Sequence, residues 1–277
     1  MIFPLTITTL ATESCFNEFL LMGKSLELFE QEPINWVVAC DEFVHQKLKD
    51  NQDVVALKVI EDDRGSDHNG SPAERKKFLD VIKGKFRAIE KAFELGLPNI
   101  LFLDCDHIFL NPLPNIFQIF KGADAIASPH FSGNLAQIEH NYGLYNVGFL
   151  GIMNKDVLKP WESLTDNHEK LGYFFEQQPY EKTLQNFMTG TLPINFNFGW
   201  WRANLPGTQQ RLNQICLKDD QIHLGHLPLI DVHAHAFKKP NGYDPSKVLI
   251  DKVFDLMRTS NNPKYKELIS FYESLNK

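Results

Sequence analysis

Two carboxylates one residue apart, Asp104-Cys105-Asp106, follow a run of four apolar residues, Ile100-Leu101-Phe102-Leu103. A strand this apolar is of the kind covered on both faces in parallel sheets. Ligands of such sheets gather beyond the carboxyl ends of the strands. Where the strand gives way to a turn, Asp104 and Asp106 can point the same way. Together they suit a hard divalent cation, Mg²⁺ or Mn²⁺, which prefers oxygen ligands and is shared with substrate phosphates. An isolated Asp-x-Asp triplet more often arises by chance or caps a turn, so its surroundings carry the weight. Here a well-formed exit follows, His107-Ile108-Phe109-Leu110-Asn111-Pro112-Leu113.

The elements that must position this pair read as alternating strands and helices. Ile2–Leu10 has the pattern of a strand and Phe16–Phe29 that of a helix with Phe16, Phe19, Leu20, Met22, Leu26 and Phe29 on its apolar side. Strands are expected at Asn35–Cys40 and Val54–Ile60, then a polar loop over Glu61–Pro72. A helix is expected over Pro72–Leu95, stopped by Gly96-Leu97-Pro98. After Ile100–Leu103, further strands are expected at Ala123–Ser128 and Val147–Met153. The order indicates an α/β sandwich, a mostly parallel central sheet flanked by helices. Beyond Asp156 the pattern loosens. A short helix is expected at Glu181–Met188, an aromatic, Asn-rich stretch covers Ile194–Trp201, and a last strand is expected at Ile230–Phe237. Val248–Met257 and Lys264–Leu275 look like surface helices.

Composition bounds the function. A chain of 277 residues can bury a large core as one domain. A net charge of −7 argues against general nucleic-acid or anionic-membrane binding. Cys15, Cys40, Cys105 and Cys216 form no C-x-x-C pair, which argues against a thiolate zinc site and a disulfide scaffold. The start, Met1-Ile2-Phe3-Pro4, has no basic region before an apolar run, and no stretch reaches the roughly 20 apolar residues of a membrane span. The expectation is a cytoplasmic protein without a transmembrane segment.

The segment from Ile100 to Leu113 resembles the D-x-D segment of GT-A-fold nucleotide-sugar glycosyltransferases, the glycogenin-like and lipopolysaccharide galactosyltransferase-like enzymes. Other blocks resemble theirs in the same order. Gly84-Lys85-Phe86-Arg87-Ala88 is similar to the helix whose lysine leans on the donor phosphates, and Tyr145-Asn146-Val147-Gly148-Phe149-Leu150 to the block where an amide and a glycine line the sugar site. Glu181-Lys182-Thr183-Leu184-Gln185-Asn186-Phe187 aligns with the D-Q-x-x-L-N-x-F block that meets the sugar hydroxyls and the reacting face. Here Glu181 and Lys182 replace the usual Asp and Gln. His233-Ala234-His235-Ala236-Phe237-Lys238-Lys239-Pro240 matches H-x-x-G-x-x-K-P, with Ala236 in place of glycine.

The resemblance implies a Rossmann-like GT-A fold over 1–277, with a nucleotide-binding half, 1–127, and an acceptor-binding half with C-terminal helices, 128–277. It implies Mn²⁺ (or Mg²⁺) held by Asp104, Asp106 and His233, with His235 open as the alternative to His233. The implied donor contacts are Thr8, Thr9 and Asp41 at strand ends, Lys85, Cys105, Asn146, Gly148 and Lys239. Glu181, Lys182 and Gln185 would serve the reacting sugar. Trp200, Trp201 and Arg202 could form a platform for an acceptor. The implied reaction moves a hexose or pentose from a nucleoside diphosphate sugar, UDP-linked, to a hydroxyl of a glycan or other acceptor, with retention, in glycan biosynthesis. Two rivals are a metal-dependent phosphoesterase or nucleotidyltransferase and a catalytically silent sugar-nucleotide binder. His233-Ala234-His235 also looks like the first-strand motif of amidohydrolase barrels, but 42 residues follow it (277 − 235), where a barrel of roughly 250 residues should largely lie.

Overall fold

The computed structural model describes residues 4–30, 32–61, 63, 69–131, 136–203, 209–237 and 244–276. In chain order its strands are β1 (Leu5–Ala11), β2 (Ile34–Cys40), β3 (Val54–Lys58), β4 (Ile100–Leu103), β5 (His107–Phe109), β6 (Ala125–Pro129), β7 (Tyr145–Ile152), β8 (Thr189–Thr191), β9 (Phe198–Gly199), β10 (Ile215–Lys218), β11 (Gln221–Leu224), β12 (Leu227–Pro228) and β13 (Asp231–His233). Seven of them form the central sheet in the order β3-β2-β1-β4-β7-β6-β8. Only β7 runs against the others, pairing antiparallel with both β4 and β6. β4 is therefore parallel to β1 alone, and its continuous apolar character comes from burial on both faces rather than from two parallel neighbours.

Alternate residues of the strands separate the core in two. Val38, Cys40, Leu101, Leu103 and Ile126 belong to one cluster, Val37, Ala39, Ile100, Phe102 and Ala127 to the other. This is the period-two consequence of a sheet covered on both sides. The helix Phe16–Phe29 forms over the expected residues and covers the first face, burying Phe19, Leu21, Met22, Leu26 and Phe29, with Leu21 in the core while Phe16 and Leu20 stay half-buried. The terminal helices, Pro245–Thr259 and Pro263–Leu275, also belong to this layer. Leu249, Ile250, Val253, Phe254 and Met257 of one, and Tyr265 and Leu268 of the other, are buried. Their core-facing sides are deeper than the surface helices the sequence suggested.

The helix expected over Pro72–Leu95 is two helices, Pro72–Ile82 and Gly84–Glu94. The junction lies where Gly84 packs directly on the sheet. A Cβ there would come within 3.2 Å of Leu10 and 3.3 Å of Ala39. The second helix ends as the sequence indicated, with Gly96 in the left-handed region at φ 67°. The helix expected at Glu181–Met188 instead spans Gln177–Leu184, about one turn earlier. No helix among the described residues is long and apolar enough to cross a membrane.

Two small sheets complete the molecule. β10, β11 and β12 form a meander, and β5, β13 and β9 form a second three-stranded sheet. The sequence reading missed β5 and the meander because strands of two to four residues carry too little alternation to detect. The second small sheet matters most, because it joins the end of β4 to segments more than 90 residues downstream.

Candidate metal centre

Asp104-Cys105-Asp106 occupies the turn between β4 and β5, so the main sheet delivers the first carboxylate and the small sheet receives the second. β13 pairs antiparallel with β5 and sets His233 opposite His107, while Ala234 donates its amide to the Asp106 carbonyl at 3.1 Å. That register brings His233 Nε2 to 3.0 Å from Asp106 Oδ1 and 3.8 Å from Asp104 Oδ2. One ligand atom from each of Asp104, Asp106 and His233 lies within 4.8 Å of the others. His235 is displaced from this cluster. Its side chain is 47% exposed, and its Nδ1 lies 3.3 Å from Asp106 Oδ2.

The donor set fits a hard or borderline divalent cation. The third wall of the cluster is the backbone of Gly148. A Cβ at that position would lie 2.4 Å from His233 Cε1, 2.6 Å from Asp104 Oδ2 and 3.0 Å from Asn146 Oδ1. Any other residue would fill the space between the ligands. Electrostatics support the same arrangement. Burial would raise the Asp106 carboxyl, but the facing His233 and His235 hold it well below the usual carboxylate range. Burial would lower His233, and the Asp106 carboxylate overrides it, so the imidazole is raised above its ordinary value. Beneath the cluster, fully buried His107 joins Asp231 Oδ2 at 2.7 Å and the Gly148 carbonyl at 2.9 Å. This ties β5, β13 and β7 together under the ligands.

The cluster lies in the wall of a cavity of about 730 Å³ that also contains Thr12, Cys15, Glu18, Lys85, Cys105, Asn146, Glu176 and Gln177. No family model matches the chain, and no curated protein matches it. Solved structures do match. The glycosyltransferase GlyE of Streptococcus pneumoniae TIGR4 superposes with a TM-score of 0.56 at 15% identity, over 99% of this chain and 64% of that one. The galactosyltransferase LgtC, solved with donor and acceptor sugar analogs, gives 0.54 at 14% identity over 95% of this chain and 100% of its own. Mouse xyloside xylosyltransferase 1 gives 0.50 at 13% identity, over 86% and 100%. The chain has the GT-A glycosyltransferase fold. At these identities the likeness concerns the fold, and this chain spans slightly less than two thirds of GlyE.

Within the GT-A fold, Asp104, Asp106, His233, Cys105, Asn146, Gly148 and Lys85 all meet at this cavity. Lys85 is almost completely buried. Its Nζ donates to the Val147 carbonyl at 3.0 Å and to Glu176 Oε1 at 3.3 Å, lies 4.0 Å from Asp104 Oδ1, and sits over the Phe102 ring. Its charge is thus aimed along the cavity wall and already shared with two carboxylates. Arg87 is on the outer side of the same helix, paired with Glu90 and Glu162. The Cys105 and Cys15 thiols interact side by side in this wall. That interaction and burial push Cys105 up, while the same interaction lowers Cys15. Lys239 lies outside the described residues.

Other expected residues lie elsewhere. β1 continues to Ala11, so Thr8 and Thr9 are buried inside the sheet, and Thr12 and Ser14 take the strand-end positions in the cavity. Asp41 uses both oxygens structurally. One accepts from Val44 N at 2.9 Å to cap the helix Glu42–Leu48, the other from Glu13 N at 2.7 Å. Glu181 and Lys182 line a separate cleft with His140, Tyr173 and Phe174. Glu181 Oε2 accepts from Leu144 N at 2.8 Å, and Gln185 is exposed. The acid–amide order sought in that block stands five residues earlier (181 − 176) at Glu176-Gln177, both in the cavity wall. The pair was legible as an acid followed by an amide, but the helix phase decides which turn faces the cavity. Arg202 cannot reach an acceptor. It is fully buried, its donors go to the His130, Ile194, Phe196 and Pro129 carbonyls and Ser128 Oγ, and burial pushes its pKa down to about 9. Trp201 is also buried, with its ring edge-on to His233 at 5.2 Å.

Proposed function

We propose that this chain is a metal-dependent glycosyltransferase that moves a hexose or pentose from a nucleoside diphosphate sugar, UDP-linked, to a hydroxyl of a glycan or other acceptor. The observation that carries the reading is the Asp104-Asp106-His233 cluster, kept open by Gly148 in the wall of a large cavity. Asp104, Asp106 and His233 would hold Mn²⁺ or Mg²⁺. When bound, the cation supplies Lewis-acid charge to the diphosphate leaving group.

The chain's own residues contribute binding and orientation. The Asn146 side-chain oxygen is spent on Gly148 N and Asn197, so its Nδ2 is the group left to donate to a sugar hydroxyl. Glu176 and Gln177 replace Glu181, Lys182 and Gln185 as the acid and amide offered to the sugar. Lys85 holds Glu176 and stands beside Asp104, which fixes the carboxylate against the ligand turn. Lys239 remains the proposed diphosphate contact from the C-terminal block. Retention follows the resemblance, and the anomeric configuration of the product by NMR tests it. A reducing, cytoplasmic setting suits a site whose wall holds Cys15 and Cys105 as free thiols in contact.

Incubation with Mn²⁺ and a panel of nucleoside diphosphate sugars, with and without glycan acceptors, tests the reading. Donor cleavage that is lost in Asp104→Ala and Asp106→Ala is expected. Metal-dependent UDP binding without turnover on any acceptor would favour a silent binder. UDP binding indifferent to divalent metal would sink the central reading.

A further inference from the structure

Asn197 is completely buried between β13 and β7, and its backbone sits in the left-handed region at φ 50°. Among residues with a side chain, asparagine tolerates that conformation best. The side-chain amide makes two directed bonds. Its Nδ2 donates to Asn146 Oδ1 at 2.9 Å, and its Oδ1 faces His233 Nδ1 at 2.8 Å.

The hydrogen-bond network assigns the orientation of this amide. Asn146 Oδ1 also accepts from the Gly148 amide at 2.9 Å, so it is an oxygen. The Asn197 atom facing it must be the NH₂ group, and the atom facing His233 must be the carbonyl oxygen. That oxygen only accepts, so His233 carries a proton on Nδ1. The nitrogen that can offer a lone pair is then Nε2, the atom that faces Asp106 and Asp104. The ring is also confined, with His107 at 4.2 Å on one side and the edge of Trp201 at 5.2 Å on another. The Asn197 backbone N–H donates in turn to Asp231 Oδ1 at 2.9 Å.

We infer that Asn197 is a positioning residue for the metal centre, setting the tautomer of His233 so that Nε2 is directed at the cation. This rests on the metal-site reading above. A ligand histidine held at its other nitrogen by an acceptor is the general arrangement that orients such ligands, and removing the partner typically lowers metal affinity about 10–100-fold.

Mn²⁺ titration of the full chain without nucleotide, followed by electron paramagnetic resonance, tests the inference alongside thermal melting. Asn197→Gly keeps the backbone conformation available and removes the acceptor. Its Mn²⁺ dissociation constant should rise about 10–100-fold. Asn197→Asp keeps an acceptor for the Nδ1 proton but loses the donor to Asn146. It should bind Mn²⁺ clearly more tightly than Asn197→Gly, although both variants lose the Asn146 bond. Equal loss in the two variants, or no loss in either, would overturn the inference, since a purely structural bridge to Asn146 predicts equal effects. If Asn197→Gly does not fold, long-range ¹H–¹⁵N spectra of the parent chain with diamagnetic Mg²⁺ still decide the matter. An Nδ1-protonated His233 is expected, and an Nε2-protonated one overturns the inference. His233→Ala separates the two layers. If it binds Mn²⁺ like the parent, the metal-site reading itself fails. If it loses Mn²⁺ while Asn197→Gly does not, only the role of Asn197 fails.

Discussion

Replacing Gly148 by alanine should damage the metal centre while leaving the rest of the sheet intact. The new Cβ would sit 2.4 Å from His233 Cε1 and 2.6 Å from Asp104 Oδ2, both inside ordinary van der Waals contact. The backbone cannot retreat easily, because β7 lies between β4 and β6 and Gly148 O already accepts from Asp104 N at 2.8 Å. Asp104 is partly exposed and can rotate away, but doing so abandons its place among the ligands. His233 is held by Asn197 at 2.8 Å and by the rings of His107 and Trp201, so it cannot turn without breaking those contacts. Overpacking of this kind costs about 1–3 kcal/mol. For a chain near this length each kcal/mol lowers Tm by about 2–4 °C, so a fall of about 2–12 °C is expected. Spreading two ligands should weaken Mn²⁺ binding by about tenfold or more. Circular-dichroism melts and Mn²⁺ titration measure both effects. Gly23→Ala is the control, because nothing lies within 4 Å of a Cβ there and the residue is inside the helix Phe16–Phe29. It should stabilise by about 0.5–1 kcal/mol. If Gly148→Ala matched the parent in both Tm and Mn²⁺ affinity, the crowded geometry inferred for the centre would be wrong.

Other expectations follow from single groups. Glu176→Gln should lower donor turnover about tenfold, or about 1.4 kcal/mol of barrier, while Glu181→Gln stays near the parent, compared by initial rates at a temperature where both are folded. The reverse order would return the sugar-facing role to Glu181. Burial lowers His130 from 6.5 to about 4. The unfolded chain therefore binds the extra proton between those values, so this contribution to stability is full above about pH 6.5 and declines as the pH falls to about 4. Urea denaturation should lose about 3 kcal/mol from this residue over that interval, and His130→Asn should flatten the slope. Cys15 is lowered by its interaction with Cys105, Cys105 is raised by the same interaction and by burial, and burial pushes Cys40 up to about 12. Iodoacetamide at pH 8, read by peptide mass spectrometry, should modify Cys15 before Cys105 and Cys40. Faster labelling of Cys105 would contradict these opposite shifts.

Much of the framework was legible because it is local. The helix Phe16–Phe29 carries an apolar stripe, and Ile100–Leu103 carries apolar side chains to both faces, so each announces its element from consecutive residues. Thr8 and Thr9 were misplaced because polar residues suggested a strand end. In the structure Thr8 Oγ1 bonds the Leu101 carbonyl at 3.5 Å, so a buried threonine is satisfied inside the sheet. The break at Lys83 was invisible because both halves keep helical spacing, and only the approach of Gly84 to Leu10 and Ala39 separates them.

By itself the sequence determined that two carboxylates end a buried strand, since that requires only the apolar run and the residues that follow it. Which histidine and which acid join them was decided by tertiary structure. The register of β13 on β5 selects His233 over His235, because β13 ends at His233 and His235 lies beyond the paired residues with its side chain half-exposed. The phase of the helix Gln177–Leu184 brings Glu176 to the cavity and leaves Glu181 in another cleft. Asn197 could be recognised only through its bonds to His233 and Asn146, 36 and 51 residues away along the chain. Spacing along a chain reports what neighbours can do together, but a site assembled from several distant segments depends on pairing and packing that no local pattern encodes.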